Sequence, residues 1–178
     1  MPTANLSTAQ LQAVQAQVGA QIFADNNLSE PQGTPCLACH RPDMGFAGNH
    51  GGRNGVAVGS LPNSVGLRNT MTNSYASFVP TFSFQTTNGE TEAVGGLFWD
   101  GRADTPALQA LGPFLNGLEM NNASKAAVVQ KISTSNYAPL FRQAFGDTVF
   151  NNTETAYTNI GIAIAAFEVA QRQDFSSK

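Results

Sequence analysis

Apolar residues recur at steps of three and four near both ends of the chain, which is the spacing of an amphipathic helix. In residues 7–25 these positions are Leu11, Val14, Val18 and Ile22. In residues 153–171 they are Ile160, Ala163, Ile164, Phe167 and Ala170. We expect Ser7 or Thr8 to cap the first of these two helices and Thr153 to cap the second.

Three shorter helices are predicted between these two. They cover residues 105–111, with Pro106 in the first turn, residues 124–132, and residues 137–145, which Gly146 closes. The fold class is therefore predicted to be mainly α.

The segment from residue 41 to about residue 92 has a different character. It is rich in Gly, Asn, Ser, Thr and Pro and has little periodicity of either kind. A loop of this length is unusual inside a compact domain, and it is expected where the chain wraps a large, rigid apolar group. Short strands are predicted around residues 78–84.

The composition narrows the class of protein. The chain has 178 residues, of which 42% are hydrophobic and 12% are charged, as is typical of a globular domain. The net charge is −3 and there is no basic run, so nucleic acid is not expected as a partner. The longest mostly apolar run, residues 160–167, is too short to span a membrane.

Residues 36–40 match the C-x-x-C-H pattern of covalent haem attachment. The thiols of Cys36 and Cys39 can each add to one haem vinyl group, and His40 then lies under the iron as the proximal ligand. We predict one covalent haem c at these residues. Attachment of haem to cysteines normally takes place outside the cytoplasm, so a periplasmic or otherwise extracytoplasmic location is expected.

A CxxC pair has two other common uses in proteins, as a redox-active pair and as part of a zinc site. A redox-active pair of the thioredoxin type is expected beside a βαβ pattern, which this sequence lacks. A structural zinc site needs four ligands, and His50 is the one obvious addition. Haem attachment is favoured over both.

The sequence leaves undecided which residue, if any, binds the iron on the face opposite His40. His50 lies in a glycine-rich stretch and would serve as a sixth ligand, as a distal acid–base group, or as an exposed loop residue. Met44, Met71 and Met120 can also bind iron, although single methionines more often serve in packing.

A second informative stretch follows residue 97. It contains the run Phe98-Trp99-Asp100-Gly101-Arg102-Ala103-Asp104 and then Gln109, Pro113, Glu119 and Met120. Over an open iron face, Glu119 would take a proton from hydrogen peroxide and return it to the departing oxygen. Gln109 would hydrogen-bond the peroxide, and Trp99 would pass electrons. The simpler alternatives are a solvated Glu119, a packing Trp99, and an Asp100–Arg102 pair that braces the turn.

Together these motifs resemble the bacterial di-haem cytochrome c peroxidase family, which includes the maturation enzyme of methylamine dehydrogenase. The resemblance covers residues 28–29, 36–46, 66–69, 98–120, 137–146 and 163–168. It implies a cytochrome c-like haem domain with long irregular loops. Residues 1–178 would form this single domain, which is similar to the N-terminal, peroxidatic half of the family.

The resemblance also implies residue roles. Cys36, Cys39 and His40 would hold the peroxidatic haem. The distal pocket would contain Gln109, Pro113 and Glu119, with Glu119 as the acid–base residue. Trp99 corresponds to a tryptophan between the two haems, and Asn69 to a side chain that helps bind calcium at the domain interface.

The sequence departs from the family pattern at two points. Many members have a distal histidine at a place that falls near Val56 or Leu61, where this chain has none. Either His50 substitutes for it or the iron is five-coordinate, and we favour the open site. Members also have a second CxxCH in a C-terminal domain, so we expect a domain fragment or one half of a split protein, with the second haem domain absent from this chain.

The expected function is reduction of hydrogen peroxide to water, with electrons from a second haem domain or subunit or from a small redox protein. One alternative is an electron-transfer cytochrome c module with a six-coordinate haem. Another is a haem enzyme that oxidises a protein or small-molecule substrate.

Overall fold

The computed structural model describes residues 6–48, 51–52 and 55–171. In these ranges the chain forms six α-helices and one antiparallel hairpin. The helices are α1 (Thr8–Ala24), α2 (Cys36–Cys39), α3 (Pro106–Leu115), α4 (Lys125–Ser133), α5 (Ala138–Phe145) and α6 (Thr153–Ala170), and the strands are β1 (Ser83–Thr87) and β2 (Glu90–Val94). The prediction of a mainly α fold is confirmed.

The two long helices begin with different caps. At α1 the Ser7 hydroxyl accepts a hydrogen bond from the Gln10 backbone N–H, and the Gln10 side chain accepts one from the Ser7 N–H. This capping box confirms Ser7. At α6 the cap is Asn152, whose side chain accepts from the Thr155 N–H at 2.9 Å. The prediction of Thr153 was wrong, because Thr153 is already the first helical residue.

Two other boundaries differ from the prediction. Helix α3 runs past residue 111 to Leu115 and contains Pro113 in its last turn, where a missing N–H removes one helical bond near the helix end. The strands lie at residues 83–94 instead of 78–84, and Phe78 belongs to a short 3-10 turn. The hairpin turns at Asn88-Gly89, both of which have positive φ. This Asn-Gly dipeptide is a strong sequence signal for a tight hairpin.

The core surrounds α6, which packs against α1, α3 and α4. Fully or nearly fully buried side chains from these helices and from α5 include Val18, Ile22, Phe114, Val128, Ile132, Phe141, Ile160 and Ile164. Close approach of the helices depends on two glycines. A Cβ at Gly19 would lie 1.9 Å from the Ala163 carbonyl oxygen, and one at Gly161 would lie 2.3 Å from that of Ala107.

The segment between α2 and α3 is largely irregular, as predicted. In the described part of residues 55–104, the buried residues are Ser64, Leu97 and Ala103. Its shape is held by backbone hydrogen bonds, such as Gly66 N–H to the Ala57 carbonyl, and by side-chain hydrogen bonds, such as the Ser64 hydroxyl to the Leu61 carbonyl. Within the residues described, none of the helices combines the length and apolar character that crossing a bilayer requires.

Candidate haem site

The two cysteines of the haem motif lie on one helical turn. Helix α2 consists of Cys36–Cys39, and the His40 N–H donates to the Cys36 carbonyl at 2.8 Å. Residues three apart in a helix lie on the same face, so both thiols are presented together. Both are free and partly buried. This arrangement fits attachment to one haem edge.

The thiols are held in the neutral form. Burial raises the pKa of Cys36 to about 12, with the charge of Glu168 as the next cause. Burial, followed by the charge of Glu119, raises the pKa of Cys39 to about 11. A redox-active CxxC uses a thiolate, so this environment does not favour that alternative. Among the described residues, no group of three or more His, Cys, Asp and Glu side chains lies together as a metal site.

The His40 ring is fixed by the loop that follows it. Its Nδ1 lies 3.0 Å from the Phe46 carbonyl oxygen, and this contact assigns the proton to Nδ1. Burial lowers the pKa of His40, while hydrogen bonds to the backbone of Phe46 and Met71 oppose the shift. The ring is therefore neutral at pH 7. With Nδ1 bonded to Phe46, Nε2 is the nitrogen that would bind iron.

The alternative sixth ligands have different surroundings. His50 lies outside the described residues. Met120 is 4% exposed and belongs to the apolar core, whereas Met44 is 54% exposed. The Met71 backbone acts to raise the pKa of His40, which places this residue beside the predicted proximal ligand.

The Glu119 backbone is clamped just beyond α3. Its carbonyl accepts from the Ser60 N–H at 2.7 Å, and the neighbouring Met120 carbonyl accepts from the Glu30 N–H at 2.8 Å. Gly59 makes the first contact sterically possible, because a Cβ there would lie 2.1 Å from the Leu118 carbonyl oxygen. Glu119 is thus tied both to the irregular segment and to the chain that leads into the haem motif.

The Glu119 carboxyl is partly buried and electrostatically coupled to the haem motif. Burial raises its pKa, while the charge of Arg102 and a hydrogen bond from Asn116 lower it. In turn its charge raises the pKa of Cys39 and, more weakly, that of Cys36. The fold therefore brings a carboxyl group with a raised pKa to the site where haem would be attached. An ordinary solvated carboxylate would not have this environment.

Gln109 and Pro113 lie one turn apart on α3, and both are partly buried. The Pro113 carbonyl accepts from the N–H groups of Asn116 and Met120. Pro113 thereby closes the turn that carries Glu119. Gln109 lies on the same face of α3 because residues four apart share a face.

Trp99 and Asn69 come together at the surface. The Trp99 indole N–H donates to the Asn69 carbonyl at 2.9 Å, and the Trp99 side chain is 61% exposed. Asn69 is also exposed, and its side chain contacts the glycine at position 55 closely enough that a Cβ there would lie 3.3 Å away. Such exposure does not fit an indole whose role is packing.

Asp100 and Arg102 form the ion pair that was predicted as one alternative, a brace for the turn. The Arg102 guanidinium lies 2.8 Å from both Asp100 oxygens and 3.6 Å above the centre of the Phe98 ring. Phe98 and Gly101 both have positive φ, so the turn is tight. The sequence did not reveal that Arg102 also acts on Glu119 through its charge.

One buried carboxyl group was missed from the sequence. Glu168 in α6 is 8% exposed, and burial raises its pKa to about 8. The sequence did contain a signal for this burial. Glu168 lies four residues after the apolar residue Ile164 and therefore shares the apolar face of α6.

With this geometry described, similarity to known proteins identifies the class. Residues 13–177 match the family model of di-haem cytochrome c peroxidases. The chain is 38% identical over 167 residues to the methylamine utilization protein MauG of Paracoccus denitrificans, covering 92% of this chain and 42% of that protein. It is 28% identical over 156 residues to the cytochrome c551 peroxidase of Pseudomonas aeruginosa, covering 86% and 38%. The chain belongs to the di-haem cytochrome c peroxidase family.

The fold gives the same result. The diheme peroxidase BthA of Burkholderia thailandensis superposes with a TM-score of 0.80 at 34% identity, over 89% of this chain and 39% of that one. A MauG-like protein associated with microbial copper homeostasis has the same fold, with a TM-score of 0.65 at 21% identity. The chain spans about two fifths of the length of these relatives. The predicted family is confirmed.

Proposed function

We propose that this chain is a peroxidatic haem domain. Cys36, Cys39 and His40 hold one haem c, and Glu119 is the acid–base residue in the reduction of hydrogen peroxide to water. The observation that carries the proposal is the partly buried Glu119 carboxyl, whose charge raises the pKa of both attachment cysteines. An acid–base group is most effective when its pKa lies near the working pH, and burial moves Glu119 in that direction.

The reaction consumes one peroxide, two electrons and two protons and produces two water molecules. Haem held by Cys36, Cys39 and His40 would supply an iron site for peroxide and a path for the electrons. Glu119 takes the proton from the near peroxide oxygen and delivers it to the far oxygen as the O–O bond breaks, so that water is the leaving group. Gln109 donates a hydrogen bond that orients the peroxide.

The surroundings of Glu119 suit a group that must both accept and release a proton. Burial alone would favour the protonated acid, whereas the Arg102 charge and the Asn116 hydrogen bond favour the carboxylate. The net result is a raised pKa for Glu119. The Pro113 carbonyl and the Ser60 N–H hold the backbone on either side of Glu119.

Electrons enter through Trp99 from a second haem domain or subunit, which a small redox protein reduces. The support for this route is the exposed indole, fixed by its hydrogen bond to the Asn69 carbonyl. A calcium ion bound with help from Asn69 would order the same surface, and the proposed compartment is the periplasm.

A second candidate is oxidation of a protein or small-molecule substrate at a distance. The exposure of Trp99 supports this alternative equally, because an indole at the surface can pass electrons in either direction. The 38% identity to a methylamine utilization protein points the same way. Both candidates require the same peroxide chemistry at Glu119.

The test is Glu119→Gln in the haem-loaded protein. The second-order rate constant for reaction with peroxide, followed by stopped-flow absorption, should fall by about 10²- to 10⁴-fold. Glu92→Gln in the exposed strand β2 is the matched control and should react like the unmodified chain. An unchanged rate in Glu119→Gln would remove the acid–base role. A low-spin ferric EPR spectrum that peroxide does not alter would instead favour the electron-transfer module.

A further inference from the structure

Glu168 is a buried carboxyl group that the proposed reaction does not use. Its Oε1 accepts a hydrogen bond from the Asn73 side-chain amide at 2.7 Å. Its Oε2 is buried and has no hydrogen-bond partner among the described residues. Burial of a carboxyl group that has one oxygen without a hydrogen bond is unfavourable. The hydrogen bond from Asn73 is therefore the contact that needs an explanation.

Asn73 connects this carboxyl group to the predicted iron ligand. The Asn73 backbone N–H donates to the Phe46 carbonyl at 3.2 Å. The same carbonyl oxygen lies 3.0 Å from His40 Nδ1. One oxygen therefore accepts two hydrogen bonds, one from the segment anchored by Glu168 and one from the histidine.

Phe46 is held in a conformation that its own backbone does not favour. Its φ is 56°, in the left-handed region that bulky residues rarely adopt. Its ring is 5% exposed and packs edge-on against Phe23 and Phe167. Because Phe167 and Glu168 are neighbours in α6, this helix fixes both the ring of Phe46 and the residue that bonds to its carbonyl. Strain that is maintained by so many contacts often marks a functional position.

We propose that Glu168 and Asn73 form a positioning pair that sets the direction and donor strength of His40 through the Phe46 carbonyl. This inference rests on ligation of haem iron by His40, as in the proposed function. A hydrogen bond from the non-ligating nitrogen fixes the ring and raises its basicity. The Asn73 N–H shares the carbonyl and so moderates that bond. When the Asn73 hydrogen bond is lost, the Phe46 carbonyl oxygen accepts from His40 alone. The hydrogen bond from His40 Nδ1 then becomes stronger, which makes Nε2 a stronger electron donor and favours ferric iron.

The experiment compares Glu168→Leu with Glu168→Gln in the haem-loaded protein. Neither replacement ionises, but Gln retains an oxygen that accepts from Asn73. The readouts are the iron–histidine stretching frequency of the ferrous protein, measured by resonance Raman spectroscopy, and the midpoint potential. Relative to Gln, we expect Leu to shift the stretching frequency upward and the potential to more negative values. Equal spectra and potentials in the two variants would overturn the proposal.

Asn73→Ala provides a second test if Glu168→Leu does not fold. It removes the side-chain donor and leaves the core carboxyl group in place, and the same two shifts are expected. A band in the unmodified protein that stays unchanged in Asn73→Ala would overturn the positioning pair alone. Absence of any iron–histidine band in the unmodified protein would overturn ligation by His40 as well, and peroxide kinetics of Glu119→Gln test the proposed reaction separately.

Discussion

The helical region and the irregular segment are stabilised in different ways. The helices α1 and α3–α6 bury a continuous set of side chains that are almost fully inaccessible, such as Ile22, Phe141 and Ile160. In the described part of residues 41–104, the buried residues are Phe46, Ser64, Leu97 and Ala103. Burial of apolar surface therefore stabilises the helical region, while the irregular segment relies on hydrogen bonds of its backbone and side chains.

The irregular segment also exposes large apolar side chains. Leu67 is 76% exposed, Phe84 72% and Trp99 61%. Apolar groups concentrated in one part of a surface often mark an interaction site. The contrast indicates that the helices supply the scaffold, and we propose that the irregular segment contacts the haem and a second redox domain.

The largest effect is expected for Cys36→Ser combined with Cys39→Ser. Covalent haem should be lost completely, as the mass of the purified chain would show. Far-UV circular dichroism should keep most of its helical signal, because the helices bury their own apolar faces. Limited proteolysis should become faster within residues 41–104. Collapse of the helical signal would contradict the division into two regions.

Two glycines test the regions separately. Gly161→Ala places a methyl group 2.3 Å from the Ala107 carbonyl oxygen, between α6 and α3. Since backbone atoms must move, the free energy of unfolding measured by urea denaturation should fall by about 1–3 kcal/mol. Gly59→Ala places a methyl group 2.1 Å from the Leu118 carbonyl oxygen. It should slow the peroxide reaction by displacing Glu119, with a smaller loss of stability. The reverse ranking would contradict the comparison.

Glu168→Gln should change how stability depends on pH. The pKa of Glu168 is raised from 4.5 to about 8 by burial. Between these values the unfolded chain loses the proton and the folded chain keeps it, so the unmodified protein loses stability as pH rises and the loss levels off above about pH 8. Gln lacks this titration. The stability of the variant relative to the unmodified protein should therefore increase across the window, by on the order of 5 kcal/mol at most. Parallel pH profiles in chemical denaturation would contradict this expectation.

The smallest effect is expected for Lys125→Met, compared with Lys131→Met. Lys125 pairs with Glu154 at 2.6 Å on an exposed surface, and such pairs contribute about 0–1 kcal/mol. Lys131 is largely buried and donates to the Ser29 carbonyl and the Asn122 side chain, both at 2.8 Å. Its replacement leaves buried acceptors without partners, at a cost of about 1–3 kcal/mol. Thermal unfolding of the two variants measures the difference.

Much of the fold follows from local patterns. The periodicity of residues 7–25 and 153–171 predicted α1 and α6, and Ser7 was identified as a cap. The cap of α6 was misplaced by one residue, since Asn and Thr are both good caps and only the observed contact distinguishes them. The hairpin was misplaced although Asn88-Gly89 signals it, because little apolar alternation flanks the turn in these exposed strands.

The candidate site was predicted unevenly. The residues of the haem motif, Cys36, Cys39 and His40, lie within one short segment, and their spacing alone predicts haem attachment. Glu119 was identified through a family resemblance, but its burial and the charge of Arg102 depend on the fold. The link from Glu168 through Asn73 to Phe46 was not predicted, because a carboxyl group on an apolar helix face does not by itself indicate its partner.

The sequence by itself determined the features that depend on near neighbours, namely the helices, the presentation of two thiols on one turn and the type of cofactor they suit. A helical turn or a CxxCH motif is decided by a few consecutive residues. The tertiary structure decided which distant groups meet, including Glu119 with the haem motif and Glu168 with Asn73. Those meetings depend on how α6 and the irregular segment pack, and close packing of the whole domain sets that outcome.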